Sequence, residues 1–166
     1  MERKIIFKFL LIVTISWILY GCSDTTPVPL TEENRQYIGV WQLRIEEVTD
    51  SSLRIDSMLL AVNTDSTAVY RRCEVNKSKS KNSSSSSSYS VNFPEAVVTN
   101  ISQGSITVAQ KLGWFGFDSD LVVDKAPYQE GQQWYVDIEG KRLARLSNLE
   151  IETMTNWSCP SSDDEE

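Results

Sequence analysis

Acidic side chains are the residues whose type and spacing could do chemistry in this chain. Asp118, Asp120 and Asp124 lie within the run FGFDSDLVVD. Two carboxylates in register could act as the acid and base of a glycosidase or bind calcium. Calcium takes about six to eight oxygen ligands, however, and this run lacks the glycine of the calcium-binding loop motif. Strand alternation places all three acids opposite Phe115 and Phe117, so we expect a solvated face.

The chain contains no histidine. Histidine is the commonest metal ligand and a frequent general base, so its absence removes Ser-His and Cys-His nucleophilic arrangements. The sequence also lacks a glycine-rich phosphate loop, a Walker-type run and a Cys-x-x-Cys pair, the usual signatures of nucleotide and structural zinc sites. We therefore predict that the protein is not an enzyme and uses no cofactor or metal.

Residues 1–22 have the parts of an export signal in the usual order. A short lead with Arg3, Lys4 and Lys8 precedes an uncharged apolar run from 9 to 20. That run is shorter than the roughly 20 residues that a membrane-spanning helix needs, and it has the length typical of a signal peptide. Leu19 occupies a position where an ordinary cleavage site has a small side chain.

Leu19-Tyr20-Gly21-Cys22 instead resembles the lipobox of bacterial lipoproteins. The resemblance implies a signal peptide at 1–21, cleavage before Cys22, and acylation of Cys22 as a membrane anchor in the bacterial cell envelope. Ser23, in place of aspartate, resembles the pattern of lipoproteins that move to the outer membrane and face the periplasm. Residues 22–34 are polar and contain two prolines, which indicates a flexible tether behind the acylated cysteine.

The mature chain would be acidic. Removing residues 1–21 takes away three of the 16 basic and one of the 23 acidic residues, which leaves 13 against 22 and a net charge of −9. Nucleic acid is therefore not an expected partner, because binding phosphates needs clustered basic charge. The remaining length suits one domain with its own core.

Two cysteines remain once Cys22 is set aside, namely Cys73 and Cys159. Export would place both in an oxidising compartment, where disulfides persist. We predict a disulfide between them. The alternative is two unrelated buried thiols, because free cysteine also packs as a small apolar residue.

Short segments rich in β-branched and aromatic residues follow one another along the chain, separated by turn residues. The predicted strands begin at Gly39 and continue at 53–62, 68–75, 89–98, 105–112, 114–123, 133–139 and 149–153. One helical turn is expected at 32–37. The pattern predicts an all-β domain at 35–160, built as a single antiparallel β-barrel or β-sandwich of about eight strands.

Two segments have biased composition. Residues 76–90 contain three lysines and a serine run, which favours a mobile loop between strands, or alternatively a basic brush on anionic lipid or glycan. Residues 161–166 indicate a solvated acidic tail.

Gly39-Val40-Trp41 resembles the Gly-x-Trp signature that opens the first strand of lipocalins. The resemblance implies a barrel whose floor is closed by Trp41, with Arg142 or Arg145 from a late strand packed against the ring. It also implies a small hydrophobic ligand in the interior. The alternative is that Trp41 is simply a large core residue.

Aromatic residues are densest between 114 and 135. Outward-facing aromatics at a rim can mark a binding patch for protein, glycan or lipid, and the candidates are Trp114, Tyr128 and Tyr135. The same alternation directs the other aromatic residues inward as core: Phe115, Phe117 and Trp134.

Two functions are consistent with these features. The favoured hypothesis is a non-enzymatic cell-envelope lipoprotein that presents an all-β domain to a protein or envelope partner. The alternative is a lipocalin-like carrier of a small hydrophobic ligand. Whether the inward-facing side chains fill the interior or leave a cavity separates the two.

Overall fold

The computed structural model describes residues 25–80, 82–102, 104–112, 115–147 and 159. Its strands form a closed antiparallel barrel in which each pairs with its sequence neighbours and the last pairs with the first. The strands are β1 Gly39–Thr49, β2 Ser52–Val62, β3 Thr67–Ser80, β4 Ser83–Ser102, β5 Ser105–Leu112, β6 Phe115–Glu130, β7 Gln133–Ile138 and β8 Lys141–Arg145. A 3-10 helix, Asn34–Tyr37, precedes β1. The all-β prediction is confirmed.

The up-and-down order gives the barrel two distinct ends. The base carries the 3-10 helix Asn34–Tyr37 and the turns at 63–66 and 131–132. The mouth carries the turns at 50–51 and 139–140. Every strand therefore runs between base and mouth.

The interior is filled from the base to about mid-height. Alternate residues of each strand point inward and pack in one apolar cluster. Its largest fully buried members are Trp41, Met58, Leu60, Tyr70, Ile106, Leu121, Ile138 and Leu143. Full burial of one large apolar side chain contributes about 1.5–3 kcal/mol, so this cluster is the main source of stability.

Trp41 closes the base together with Arg145. The guanidinium carbon of Arg145 lies 5.6 Å from the centroid of the Trp41 ring, and Nη2 donates to the Ile38 carbonyl at 2.9 Å. Trp41 Nε1 donates to the Tyr37 carbonyl at 2.8 Å. A Cβ at Gly39 would lie 2.7 Å from Arg145 Nε, and φ there is 137°, so only glycine allows the arginine to lie across the base.

The segment 76–90, expected to be a loop, is strand instead. It belongs to β3 and β4, which stay paired to Ser80 and Ser83 at the hairpin tip. Low complexity indicates that a segment has few apolar anchors, but it does not prevent two strands from continuing their register as an exposed ribbon. Lysine and serine side chains remain hydrated there, so the backbone pairs without a core beneath it.

The expected tether at 22–34 is docked from Val28 onward. Val28 N donates to the Val98 carbonyl at 2.8 Å, and Ser66 Oγ donates to the Val28 carbonyl. Val28 and Leu30 are partly buried against the core. These two apolar residues alternate with prolines whose fixed φ favours extended backbone, so the segment lies along the barrel and the domain begins before residue 35.

The C-terminal part differs from the prediction in one strand. The eighth strand is Lys141–Arg145, whereas the predicted strand at 149–153 and the acidic tail at 161–166 lie outside the described residues. A disulfide joins Cys73 to Cys159, as predicted, with a Cα–Cα distance of 5.7 Å. Cys73 is fully buried on the outer face of β3, in a small apolar cluster.

Candidate functional site at the mouth of the barrel

β4 and β5 pair only near the base, and the sheet is open between them from there to the mouth. Among the described residues, pairing of these strands ends at Val97 and Ala109. β3 and β4 nevertheless stay paired as far as Ser83, and β5 and β6 stay paired as far as Leu112 and Phe115. The two hairpins therefore continue beyond the barrel wall as separate ribbons.

An irregularity in β4 lies where the ribbons separate. The register of β3 against β4 shifts between Ala68 and Tyr70, whose partners are Ala96 and Phe93. The additional residues on β4 include Pro94, which has no N–H to donate to a neighbouring strand. A β-bulge bends its strand, and proline within a sheet is confined to edge strands and bulges. Together they explain why β4 separates from β5 at this level.

Four apolar side chains face inward at this opening yet remain exposed. They are Tyr89, Leu112, Phe115 and Phe117, which we call the apolar rim. Leu112 is 57% exposed, Phe115 70% and Phe117 50%. The two phenylalanines share a face with buried Leu121, so the predicted direction is right, but their prediction as core is wrong. Within the described part of the chain no strand faces them, because β4 has separated from β5.

Charged side chains from β2, β3 and the β7–β8 hairpin meet near the mouth. Arg72 binds Glu74 at 2.7 Å and also pairs with Glu139. Lys141 Nζ lies 2.7 Å from Asp56 Oδ1 and 3.1 Å from Glu74 Oε1. We call these five residues the ionic cluster. Their side chains are between 15% and 32% exposed, so the cluster is largely withdrawn from water.

The ionic cluster holds its charges firmly. The hydrogen bond from Arg72 lowers the pKa of Glu74 below its ordinary value. Burial alone would lower the pKa of Arg72, but the hydrogen bond to Glu74 and the charge of Glu139 raise it. Burial, with the charge of Glu139, raises the pKa of Tyr70 beneath the cluster to about 12. The shifts of Arg72 and Glu74 are those expected of an ion-pair network, in which each charged form is stabilised by its partners.

The ionic cluster and the apolar rim meet at one contact. The Arg72 guanidinium carbon lies 5.6 Å from the centroid of the Tyr89 ring, within range of a cation–π interaction. The mouth therefore has the ionic cluster and the apolar rim side by side, in contact through Arg72 and Tyr89. An open cavity of about 410 Å³ beside the cluster is lined by Arg54, Ile55, Asp56, Glu74, Asn76 and Lys141. This lining is mostly charged, unlike the apolar lining typical of lipid pockets.

Two of the sequence-predicted patch residues come together elsewhere. The rings of Tyr128 and Tyr135 lie 6.0 Å apart on the outer face of β6 and β7. Arg142 lies within 5.7 Å of both ring centroids, and Lys125 Nζ lies 3.4 Å from the Tyr128 centroid. Tyr128 Oη donates to Asp137 at 3.0 Å. These groups satisfy one another, which favours a role in cross-strand packing.

The third candidate, Trp114, lies outside the described residues. The described residues on either side of it, Leu112 and Phe115, belong to the apolar rim at the mouth. Trp134, expected in the core, is 38% exposed because it lies at the base beside the turn at 131–132, beyond the packed interior.

The three aspartates are exposed, as expected for a solvated face. Asp120 accepts a hydrogen bond from Thr107 at 2.6 Å, and Asp124 accepts one from the Gly140 N–H at 2.6 Å. Within the described ranges, no group of three or more acidic or cysteine side chains is arranged to hold a metal ion.

Comparison with protein-family models, curated proteins and solved structures finds no match to this chain. In the part of the chain that the structure describes, no helix is long and apolar enough to cross a membrane.

Proposed function

We propose that this chain is a non-enzymatic lipoprotein of the bacterial cell envelope, anchored through acylated Cys22, that binds a protein partner at the mouth of its barrel. The observation that carries the proposal is the exposure of Phe115 and Phe117, at 70% and 50%, beside Leu112 on one hairpin. Large exposed apolar groups that cluster in this way are typical of protein interfaces, where aromatic residues supply much of the binding energy.

The free strand edges add a mode of binding. Among the described pairs, β4 is not paired with β5 between Tyr89 and Ala96, and β5 is not paired with β4 from Gln110 to Leu112. Each stretch therefore leaves one backbone edge open. An extended segment of a partner can pair with such an edge through its backbone, and neighbouring pockets then select its side chains. Inward-facing side chains of that segment would meet the apolar rim, so we expect them to be apolar.

The envelope location is supported by the sequence and by the disulfide. Leu19-Tyr20-Gly21-Cys22 resembles the lipobox, and the bond between Cys73 and Cys159 suits an oxidising compartment. Outer-membrane attachment facing the periplasm follows from Ser23 under the same resemblance.

The rim is tested by a pair of substitutions on the same hairpin. Phe115→Ala with Phe117→Ala should abolish capture of a partner from envelope extracts, weakening binding by about 30-fold or more if each ring contributes about 1–2 kcal/mol. The urea midpoint should change little, because both rings are at least half exposed. The measurement is quantitative mass spectrometry of proteins retained on the immobilised, acylated chain.

Val122→Ala is the matched control, because Val122 is 54% exposed on the opposite face of the same strand. It should retain the proteins that the wild type captures. Equal capture by the rim variant and the wild type would contradict binding at the mouth.

A lipocalin-like carrier is the second candidate. The arrangement of Gly39, Trp41 and Arg145 at the base is the one that the lipocalin resemblance implies, and it favours this reading. The packed interior opposes it, because the inward residues up to mid-height are buried against one another. A hydrophobic ligand would have to bind at the mouth, against the apolar rim.

A further inference from the structure

We infer that the base of the barrel faces the membrane and that the mouth points away from it. This orientation rests on the proposed acylation of Cys22. It assigns opposite roles to the two ends: the base lies against the lipid surface, and the apolar rim is presented to partners in the aqueous phase.

The first step is the docking of the chain just after the anchor. Val28 is held at the base by hydrogen bonds with Val98 and Ser66, and Val98 N donates in turn to the Ser66 carbonyl at 2.9 Å. The chain then enters the 3-10 helix Asn34–Tyr37, whose Tyr37 is buried. The chain is therefore fixed to the base from Val28 onward.

The second step is a limit on distance. Cys22 precedes Val28 by six residues, which span at most about 20 Å when fully extended. β2 covers 11 residues between base and mouth, about 33 Å along the strand. The usual tilt of barrel strands reduces this to a height of roughly 25 Å. An acyl chain on Cys22 therefore reaches the bilayer most directly from the base.

The third observation is the side chain of Trp134. It lies beside the turn 131–132 at the base, and 38% of it is exposed. Tryptophan is favoured at membrane–water interfaces because its ring is apolar and its N–H can remain hydrated. Its position agrees with a base that touches the headgroup region.

The orientation is testable by energy transfer to the membrane surface. The full acylated chain is placed in vesicles of phosphatidylethanolamine and phosphatidylglycerol that carry an acceptor lipid. A donor dye is attached through Thr64→Cys at the base or Ser51→Cys at the mouth, both of which are exposed positions. The dye at 64 should transfer more efficiently, by about twofold or more for a height difference of roughly 25 Å. Equal transfer, or stronger transfer from 51, would overturn the inference.

Val28→Asp tests whether docking of Val28 sets the orientation. The substitution should detach the docked segment and remove the difference in transfer between the two dyes. The chain should still float with the vesicles, because its anchor is unchanged. A difference that persists in this variant would overturn docking of Val28 as the cause of the orientation. Ser66→Ala, which removes one hydrogen bond only, serves if Val28→Asp fails to fold, and should reduce the difference.

Failure of the anchor itself gives a separate result. Cys22→Ala should stop flotation with the vesicles. If the wild-type chain also fails to float, the proposed acylation is wrong irrespective of what either dye reports.

Discussion

Trp41→Ala should lower the free energy of unfolding by about 3–5 kcal/mol. Trp41 is fully buried, packs against Arg145 and donates a hydrogen bond to the Tyr37 carbonyl. The substitution removes the largest side chain of the core and leaves the guanidinium above a cavity. Since domains of this size have about 5–15 kcal/mol of stability in total, the urea midpoint should fall by roughly 1–3 M.

Trp134→Ala is the matched control, because Trp134 is the same residue type but partly exposed. Its substitution should cost about 1 kcal/mol or less. Trp41→Phe, which keeps most of the volume, allows the comparison if Trp41→Ala does not fold. Equal costs for positions 41 and 134 would show that Trp41 does not hold the base together.

Breaking the disulfide is the second large effect. Cys73 and Cys159 are 86 residues apart, so their bond restricts the unfolded chain by about 4–5 kcal/mol on the chain-entropy model. Reduction should therefore lower the free energy of unfolding by up to about that amount, measured by urea unfolding with and without reductant.

Cys159→Ala separates the cross-link from the packing of the thiols. Cys159 is only half-buried, whereas Cys73 is fully buried against Ile55 and Val75. Without reductant, Cys159→Ala should be about as stable as the reduced wild type, and reductant should not change it further. Cys73→Ala should be less stable still, because it also leaves a gap in the apolar cluster. A midpoint that is the same in reduced and oxidised wild type would contradict a stabilising role for the bond.

Much of the barrel follows from local pattern. Trp41, Leu43 and Ile45 alternate with polar residues as a half-buried strand requires. β2, β5 and β7 were predicted within one residue of both ends, whereas β3, β4 and β6 extend four to seven residues beyond the prediction at one end or both. β8 was missed because KRLAR carries three charges in five residues and only Leu143 reaches the core. The strand pairing within 76–90 was missed because serine and lysine give no apolar pattern. β3 and β4 nevertheless continue their register through this segment.

The mouth was harder to predict because it depends on contacts between distant strands. On the inward face of β2, the apolar residues Leu60 and Met58 are followed toward the mouth by Asp56. On the inward face of β3, Tyr70 is followed toward the mouth by Arg72 and Glu74. Asp56 and Glu74 are direct partners in the register, so two like charges lie side by side, and Lys141 from β8 binds both. That arrangement is recognised only when the register and the position of β8 are known. The exposure of Phe115 and Phe117 could not be predicted from alternation, which gives a direction and not the presence of an opposing wall.

The central claim is that this protein works through its surface at the mouth and not by carrying a ligand in its interior. Native mass spectrometry of residues 23–166, secreted to a bacterial periplasm behind an ordinary cleavable signal and kept oxidised, tests that claim most directly. The account predicts the mass of the bare chain, lighter by the two hydrogens that one disulfide removes. A mass excess that matches a bound lipid would contradict the account and identify the chain as a carrier.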